Sequence, residues 1–240
     1  LLAGLAKLSH KYKAPVYTHN SESLSEVQQC LDRNHMTPTQ YLDSLGLFDY
    51  GGGGYHCVHM TEEDLRIFKK RGVYVITNPG SNVKLASGIP PVKRMLDMGI
   101  PMAIGTDGPA SNNCLDMFRE MFLVTGLAKL RERDASCMPA DEVLYMATAG
   151  GAYAMGLPDC DCLAVGKKAD LVMIDLRQPN MQPENNLVKN LVYSGSKQNV
   201  KLTMVNGKVL YEDGIFLIGF DPAEIYTKAN EIIGRMKECR

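Results

Sequence analysis

Ala14-Pro15-Val16-Tyr17-Thr18-His19 is followed, after Asn20-Ser21-Glu22, by Ser23-Leu24-Ser25-Glu26 and a run to about Arg33. The first part reads as a short buried strand. Ser23 with Glu26 three residues on reads as a capping box that opens a helix over Leu24 to about Arg33. A strand followed at once by a capped helix is the unit from which parallel sheets are built. Upstream, Leu1, Leu2, Leu5 and Leu8 fall at helical spacing before a polar stretch and Pro15. The chain therefore opens inside or near the end of a helix, and it does not begin with Met.

Downstream the unit recurs. Gly54-Tyr55-His56-Cys57-Val58 is a second strand, and Thr61 starts a helix whose Glu62, Glu63 and Asp64 suit the positive end of the helix dipole. Residues 34–53 between them form a longer connection with a short helix over Pro38 to Leu45 and four glycines, Gly51 to Gly54. Val73 to Thr77 is the third strand; Pro90 and Pro91 open its helix and Gly99 closes it. Pro101 to Thr106 is the fourth, followed by a long helix from Leu115 to about Leu130. Short apolar strands alternating with helices predict an α/β fold, with a parallel sheet and the helices outside it.

After Gly166 the character changes. Ala169 to Asp175 reads as a strand, and Val200 to Val205 and Lys208 to Tyr211 flank Asn206-Gly207, a strong hairpin signal. Asp221-Pro222-Ala223-Glu224 then combines an N-cap, a proline at the first helical position and an acid at the third, opening a helix with Ile225, Ala229, Ile232 and Met236 on one face. The division expected is 1–165 for the βα part and 166–240 for a β-rich appendage with a terminal helix. A closed βα barrel takes about 200–250 residues and eight repeats, whereas four are read here. The βα part is thus either a small open sheet or half of a barrel.

Composition bounds the rest. The 240 residues are 45% hydrophobic and 22% charged with net charge -1, which gives no electrostatic reason for a nucleic-acid or membrane partner. No apolar run reaches the roughly 20 residues of a membrane helix, and no signal peptide opens the chain, so a cytoplasmic protein is expected. Seven cysteines, an odd number, point to reduced thiols, and Cys160-Asp161-Cys162 lacks the spacing and partners of a metal or redox site.

His19, His56 and Asp107 each fall at or just beyond the C-terminal end of an expected strand, the face on which α/β enzymes place their chemistry. Singly, each histidine reads as structural and the aspartate of Thr106-Asp107-Gly108 as a turn residue; together on one face they favour metal or acid/base work. Glu22 precedes the N-cap and is free to point at a substrate, although an exposed loop carboxylate is the plainer reading. His10 and His35 sit in polar segments, and His59 reads as a helix-entry residue.

Four ordered segments carry a resemblance: Thr18-His19-Asn20-Ser21-Glu22; His56-Cys57-Val58-His59; Asn78-Pro79-Gly80-Ser81-Asn82-Val83-Lys84-Leu85-Ala86-Ser87-Gly88; and Gly105-Thr106-Asp107-Gly108-Pro109-Ala110-Ser111-Asn112-Asn113. The chain resembles the amidohydrolase superfamily, in its 5-methylthioadenosine/S-adenosylhomocysteine deaminase and chlorohydrolase branch. Gly166-Lys167-Lys168-Ala169-Asp170-Leu171-Val172 looks like that family's return from barrel to β-sandwich. The resemblance implies the C-terminal half of a TIM-type (βα)8 barrel, strands five to eight, followed by a partial β-sandwich. It implies one divalent ion, zinc or iron, with His19 and Asp107 as ligands. It implies Glu22 as the acid that protonates the ring nitrogen of an adenine-type nucleoside, His56 as a hydrogen-bonding partner of the attacked centre or its water, and Asp107 also as proton shuttle. Guanine deamination and triazine dechlorination are the alternatives within the superfamily, and a non-catalytic half-barrel, prone to oligomerise through its exposed edge, is the alternative outside catalysis. The family's first strand supplies a His-x-His pair that occurs nowhere in these 240 residues.

Overall fold

The structure, a computed structural model, describes residues 1–238. A helix over Leu2–Tyr12 leads into four strands, β1 (Val16–Asn20), β2 (Gly52–His56), β3 (Tyr74–Thr77) and β4 (Met102–Ile104), all parallel and in the order β1-β2-β3-β4. Helices follow each strand: Leu24–Asn34 and Pro38–Ser44 after β1, Glu62–Arg71 after β2, Pro79–Lys84 and Val92–Asp97 after β3, and Pro109–Asn112 and Met117–Glu132 after β4. The fold is α/β, as the alternation of strand and helix predicts.

Strand period sorts the side chains into two unequal faces. Val16, Val75, Met102 and Ile104 point into a large core with Leu65 and Phe68, Met95, and Met121, Val124 and Ala128 from the helices, joined by Val143 and Met146 of a further helix, Ala140–Ala147. The opposite face holds only Ile76 and Ala103 against Ala154, with Tyr55 and Tyr74 at the margin. Apolar transfer of about 25 cal/mol per Å² therefore works mainly on the helix-covered side.

Several boundaries differ from expectation, each for a local reason. Strand β2 begins at Gly52, inside the glycine run read as connection, because neighbours take the space a Cβ would need. A Cβ on Gly52 would lie 1.9 Å from the Val16 carbonyl oxygen, and one on Gly53 2.5 Å from the Ile76 side chain. Glycine in a strand marks such close approach. The helices Pro79–Lys84, Pro109–Asn112, Ala140–Ala147 and Ala149–Ala154 were not foreseen; the first two are a single turn or little more and carry Gly, Ser or Asn, which are weak helix formers.

Beyond residue 166 a second, antiparallel sheet runs β5 (Leu171–Ile174), β6 (Val200–Val205), β7 (Lys208–Glu212), β8 (Ile215–Phe216), with a Leu187–Tyr193 helix before β6. Asn206 and Gly207 both have positive φ, 49° and 77°, as a primed hairpin turn requires. The Pro222–Glu238 helix forms where expected, but none of its described side chains is buried. The described cysteines are free thiols, and no described helix is long and apolar enough to cross a membrane.

The crowding at Gly52 predicts that Gly52→Ala destabilises the chain by about 3 kcal/mol or abolishes folding. Gly126, inside the Met117–Glu132 helix with open space at its Cβ position, should instead gain about 0.5–1 kcal/mol on Gly126→Ala. Urea midpoints of the two variants check this; a wild-type midpoint for Gly52→Ala contradicts it.

Candidate active site

Because the four strands run the same way, their C-terminal ends form one rim. Asn20, the last residue of β1, pairs in register with His56, the last of β2, and Asp107 lies three residues past β4. At this rim the backbone turns sharply: Ser21, His56, Cys57 and Asp107 have φ of 52°, 68°, 51° and 60°. Left-handed backbone at non-glycine residues costs about 1–3 kcal/mol each and persists only where surroundings enforce it. Here the Cys57, Val58 and His59 amides donate to the Asn20 and Ser21 carbonyls, tying the exit of β2 to the exit of β1.

The rim brings His19, His56 and Asp107 together, with one ligand-type atom of each within 4.8 Å of the others. The two imidazoles stack at 5.3 Å between centroids and 20° between planes. His56 is buried, with Nε2 3.7 Å from Glu22 Oε2 and 4.0 Å from Asp107 Oδ2. Those gaps are too long for hydrogen bonds, and among the described residues His56 Nε2 has no hydrogen-bond partner. His10 is placed elsewhere, on Asp49.

His56, Asp107 and Glu22 are each held from behind. His56 Nδ1 lies 2.7 Å from Asn82 Oδ1 and so donates to it, leaving the Nε2 lone pair to the carboxylates. Ser81 Oγ donates to Asp107 Oδ2 at 2.7 Å and the Gly108 amide to Oδ1 at 2.6 Å. Burial pushes the Asp107 carboxyl up, but hydrogen bonds from Ser81, the Gly108 backbone and Ser111 outweigh it and hold the group below the ordinary aspartate value. Ser87 Oγ donates to Glu22 Oε1 at 3.0 Å, while its carbonyl accepts from His59 Nε2 at 2.8 Å. The expected capping box is half formed. Ser23 accepts from the Glu26 amide, but the Glu26 carboxylate turns back to the Ser21 and Glu22 amides at 3.2 and 2.7 Å, bracing the loop that carries Glu22.

Ser81, Asn82 and Ser87, to which sequence reasoning gave no individual role, thus touch Asp107, His56 and Glu22. Their only signal was membership of the Asn78 to Gly88 segment. His59, read as a helix-entry residue, props the Ser87 carbonyl.

Two carboxylate oxygens and an imidazole lone pair facing one another without protons between them repel, and a cation among them removes the repulsion. The nitrogen and oxygen donors suit a divalent first-row ion. Two ligands of one zinc ion stand no more than about 4.4 Å apart at bonds of about 2.2 Å, so the widest separation here closes by small side-chain rotation.

A sequence profile of the amidohydrolase family matches residues 1–210. The chain belongs to the amidohydrolase family. Over 197 residues it is 43% identical to a 5-methylthioadenosine/S-adenosylhomocysteine deaminase of Dictyoglomus thermophilum, covering 82% of this chain and 46% of that protein. An adenosine deaminase from Xanthomonas campestris, solved with bound zinc, superposes with a TM-score of 0.93 at 33% identity over 99% of this chain and 55% of that one. A zinc-complexed atrazine chlorohydrolase from Arthrobacter aurescens superposes at 0.88 with 25% identity, over 97% and 51% of the respective chains. This amidohydrolase chain spans about half the length of the curated relatives it matches.

The Asn82 contact sets the tautomer of His56. Long-range ¹H–¹⁵N spectra of the metal-free protein should show Nδ1 protonated, and Asn82→Leu, which strands that buried N–H, should cost about 1–3 kcal/mol in chemical denaturation. A neutral Nε2–H tautomer would instead make His56 a donor toward the carboxylates.

Proposed function

We propose that the complete polypeptide carrying this amidohydrolase chain is a metal-dependent hydrolytic deaminase of adenine-type nucleosides, such as 5-methylthioadenosine, S-adenosylhomocysteine or adenosine. The observation that carries the reading is the convergence of His19, His56, Asp107 and Glu22 on one rim, in a chain 43% identical to a deaminase of that description. The likeness to the adenosine deaminase, at 33% identity, exceeds that to the chlorohydrolase, at 25%.

In this reading residues 1–165 are strands five to eight of a (βα)8 barrel and residues 166–240 part of a β-sandwich. The one-sided helix cover of the parallel sheet supports the barrel: the thinly covered face, where Tyr17, Tyr55, Ile76 and Ala103 line a cleft of about 530 Å³, is the barrel interior. His19 and Asp107 hold one zinc or iron ion. This sequence has no His-x-His, so further ligands come from solvent or from outside these 240 residues.

A divalent ion bound there lowers the pKa of water toward neutrality. Asp107, kept ionised by Ser81 and Gly108, takes the proton from attacking water and returns it to the departing amine. Glu22, entering the reaction in its protonated form, delivers that proton to the purine ring nitrogen, which makes the attacked carbon electrophilic, and recovers one from the new hydroxyl as the amine leaves. Ser87 fixes one Glu22 oxygen so that the other faces the substrate side, and His56, an acceptor at Nε2, takes a hydrogen bond at the attacked centre or from its water.

Glu22→Gln is expected to lower kcat by about 10²-fold or more with metal content unchanged. Asp107→Asn is expected to abolish turnover with much of the fold retained, because an amide cannot relay the proton. Ammonia release from adenosine-type substrates beside metal analysis checks both. Loss of metal in Glu22→Gln would make Glu22 a ligand, and wild-type ammonia release would leave it a loop carboxylate.

A further inference from the structure

One buried acid has no part in the proposed chemistry. Glu120, in the first turn of the Met117–Glu132 helix, is fully buried and faces no basic side chain at hydrogen-bond range among the described residues. Its Oε2 accepts from the Gly80 amide at 2.7 Å and its Oε1 from Asn112 Nδ2 at 2.8 Å; Asn112 Nδ2 also donates to the Thr106 carbonyl at 2.6 Å. Gly80 adjoins Ser81, and Thr106 adjoins Asp107. The Ser81–Asp107 hydrogen bond, 2.7 Å, closes the circuit. One carboxylate therefore bolts the loop after β3 to the loop after β4, one residue from the contact that aims Asp107.

The circuit leaves no slack. A Cβ on Gly80 would stand 2.4 Å from Glu120 Oε1 and 2.7 Å from Asn112 Nδ2, so only glycine lets the carboxylate reach that amide. Both oxygens face N–H donors, so both must accept, which an amide side chain of the same shape cannot do. A buried charge without a basic partner is a poor source of stability, since an apolar residue of similar volume fills the space without the desolvation penalty. What an apolar residue cannot supply is two directed acceptors joining two loops. We infer that Glu120 is a positioning residue, holding Ser81 and through it the Asp107 carboxylate in the orientation that binds metal. The inference rests on the reading of Asp107 as a ligand in the preceding section.

The test is a zinc titration of the complete polypeptide against a competing chelating dye, with kcat and KM from ammonia release, for E120Q, S81A, S81T, D107N and the E120Q/S81A pair. E120Q puts an N–H against one of its two donors at constant shape. It should weaken zinc about 10-fold or more, the usual scale for groups that orient a metal ligand, and lower kcat with KM little changed. S81A should do the same and S81T, which keeps the hydroxyl, should restore both. If Glu120 acts through Ser81, the double variant is no worse than the more impaired single one; independent losses multiply. Wild-type zinc affinity and kcat in E120Q overturn the inference, as do multiplying losses in the pair. S81A with wild-type affinity and kcat overturns it alone, even should E120Q not fold. Wild-type zinc affinity in D107N marks the different failure, that of Asp107 as a ligand, and the positioning role falls with it.

Discussion

Parallel pairing is the constraint on which everything at this site depends. Antiparallel neighbours would send alternate strand ends to opposite edges, whereas four parallel strands deliver the exits of β1, β2, β3 and β4 to one rim. That is how His19, His56, Ser81 and Asp107 become neighbours. The price is backbone: Ser21, His56, Cys57 and Asp107 all take left-handed φ, and the interlocked carbonyls of Asn20 and Ser21 hold two of those turns.

Given that rim, electrostatics decides what it can do. Glu22 and Asp107 bring two carboxylates to a buried imidazole nitrogen, at separations set by serines rather than by mutual hydrogen bonds. Ser87 donates to one oxygen of Glu22 and leaves the other facing His56, whereas Ser81 donates to the Asp107 oxygen that itself faces His56 while the Gly108 amide takes the other. An arrangement meant only for stability would close those gaps with direct hydrogen bonds. Leaving them open keeps donor atoms available for a cation or a substrate.

Element types were legible because hydrophobic period and caps are local properties. Thr61 and Asp64 form a reciprocal capping box where a helix start was expected, and Asn206-Gly207 turns the hairpin. The start of β2 was not legible: Gly52 and Gly53 look like a loop until one knows that Val16, Tyr17 and Ile76 stand where their side chains would be. The site divides in the same way. His19, His56 and Asp107 could be picked out because each sits where a strand ends. Ser81, Asn82 and Ser87 could not, since their roles come from the parallel register, which no local pattern encodes. Glu26 shows the limit of a motif: the spacing was right, yet its carboxylate serves Ser21 and Glu22 instead of Ser23.

The bracing of the rim also separates two things that a metal centre requires. Orientation of three of the four principal side chains is supplied by hydrogen bonds within this chain, by Asn82 for His56, Ser81 and Gly108 for Asp107, and Ser87 and Glu26 for Glu22 and its loop. Completion of a coordination sphere is a different matter in the proposed reading, in which His19 and Asp107 would offer two ligands where a protein zinc site takes three or four. The face of the sheet that carries Tyr17, Tyr55 and Ile76 is covered thinly, by the short Ala149–Ala154 helix, so in that reading a further ligand would approach from there without disturbing the hydrogen bonds behind the rim. Preorganised donors lose little entropy on binding, and a site whose aim is set beforehand needs from the rest of the protein only ligands and shelter from water.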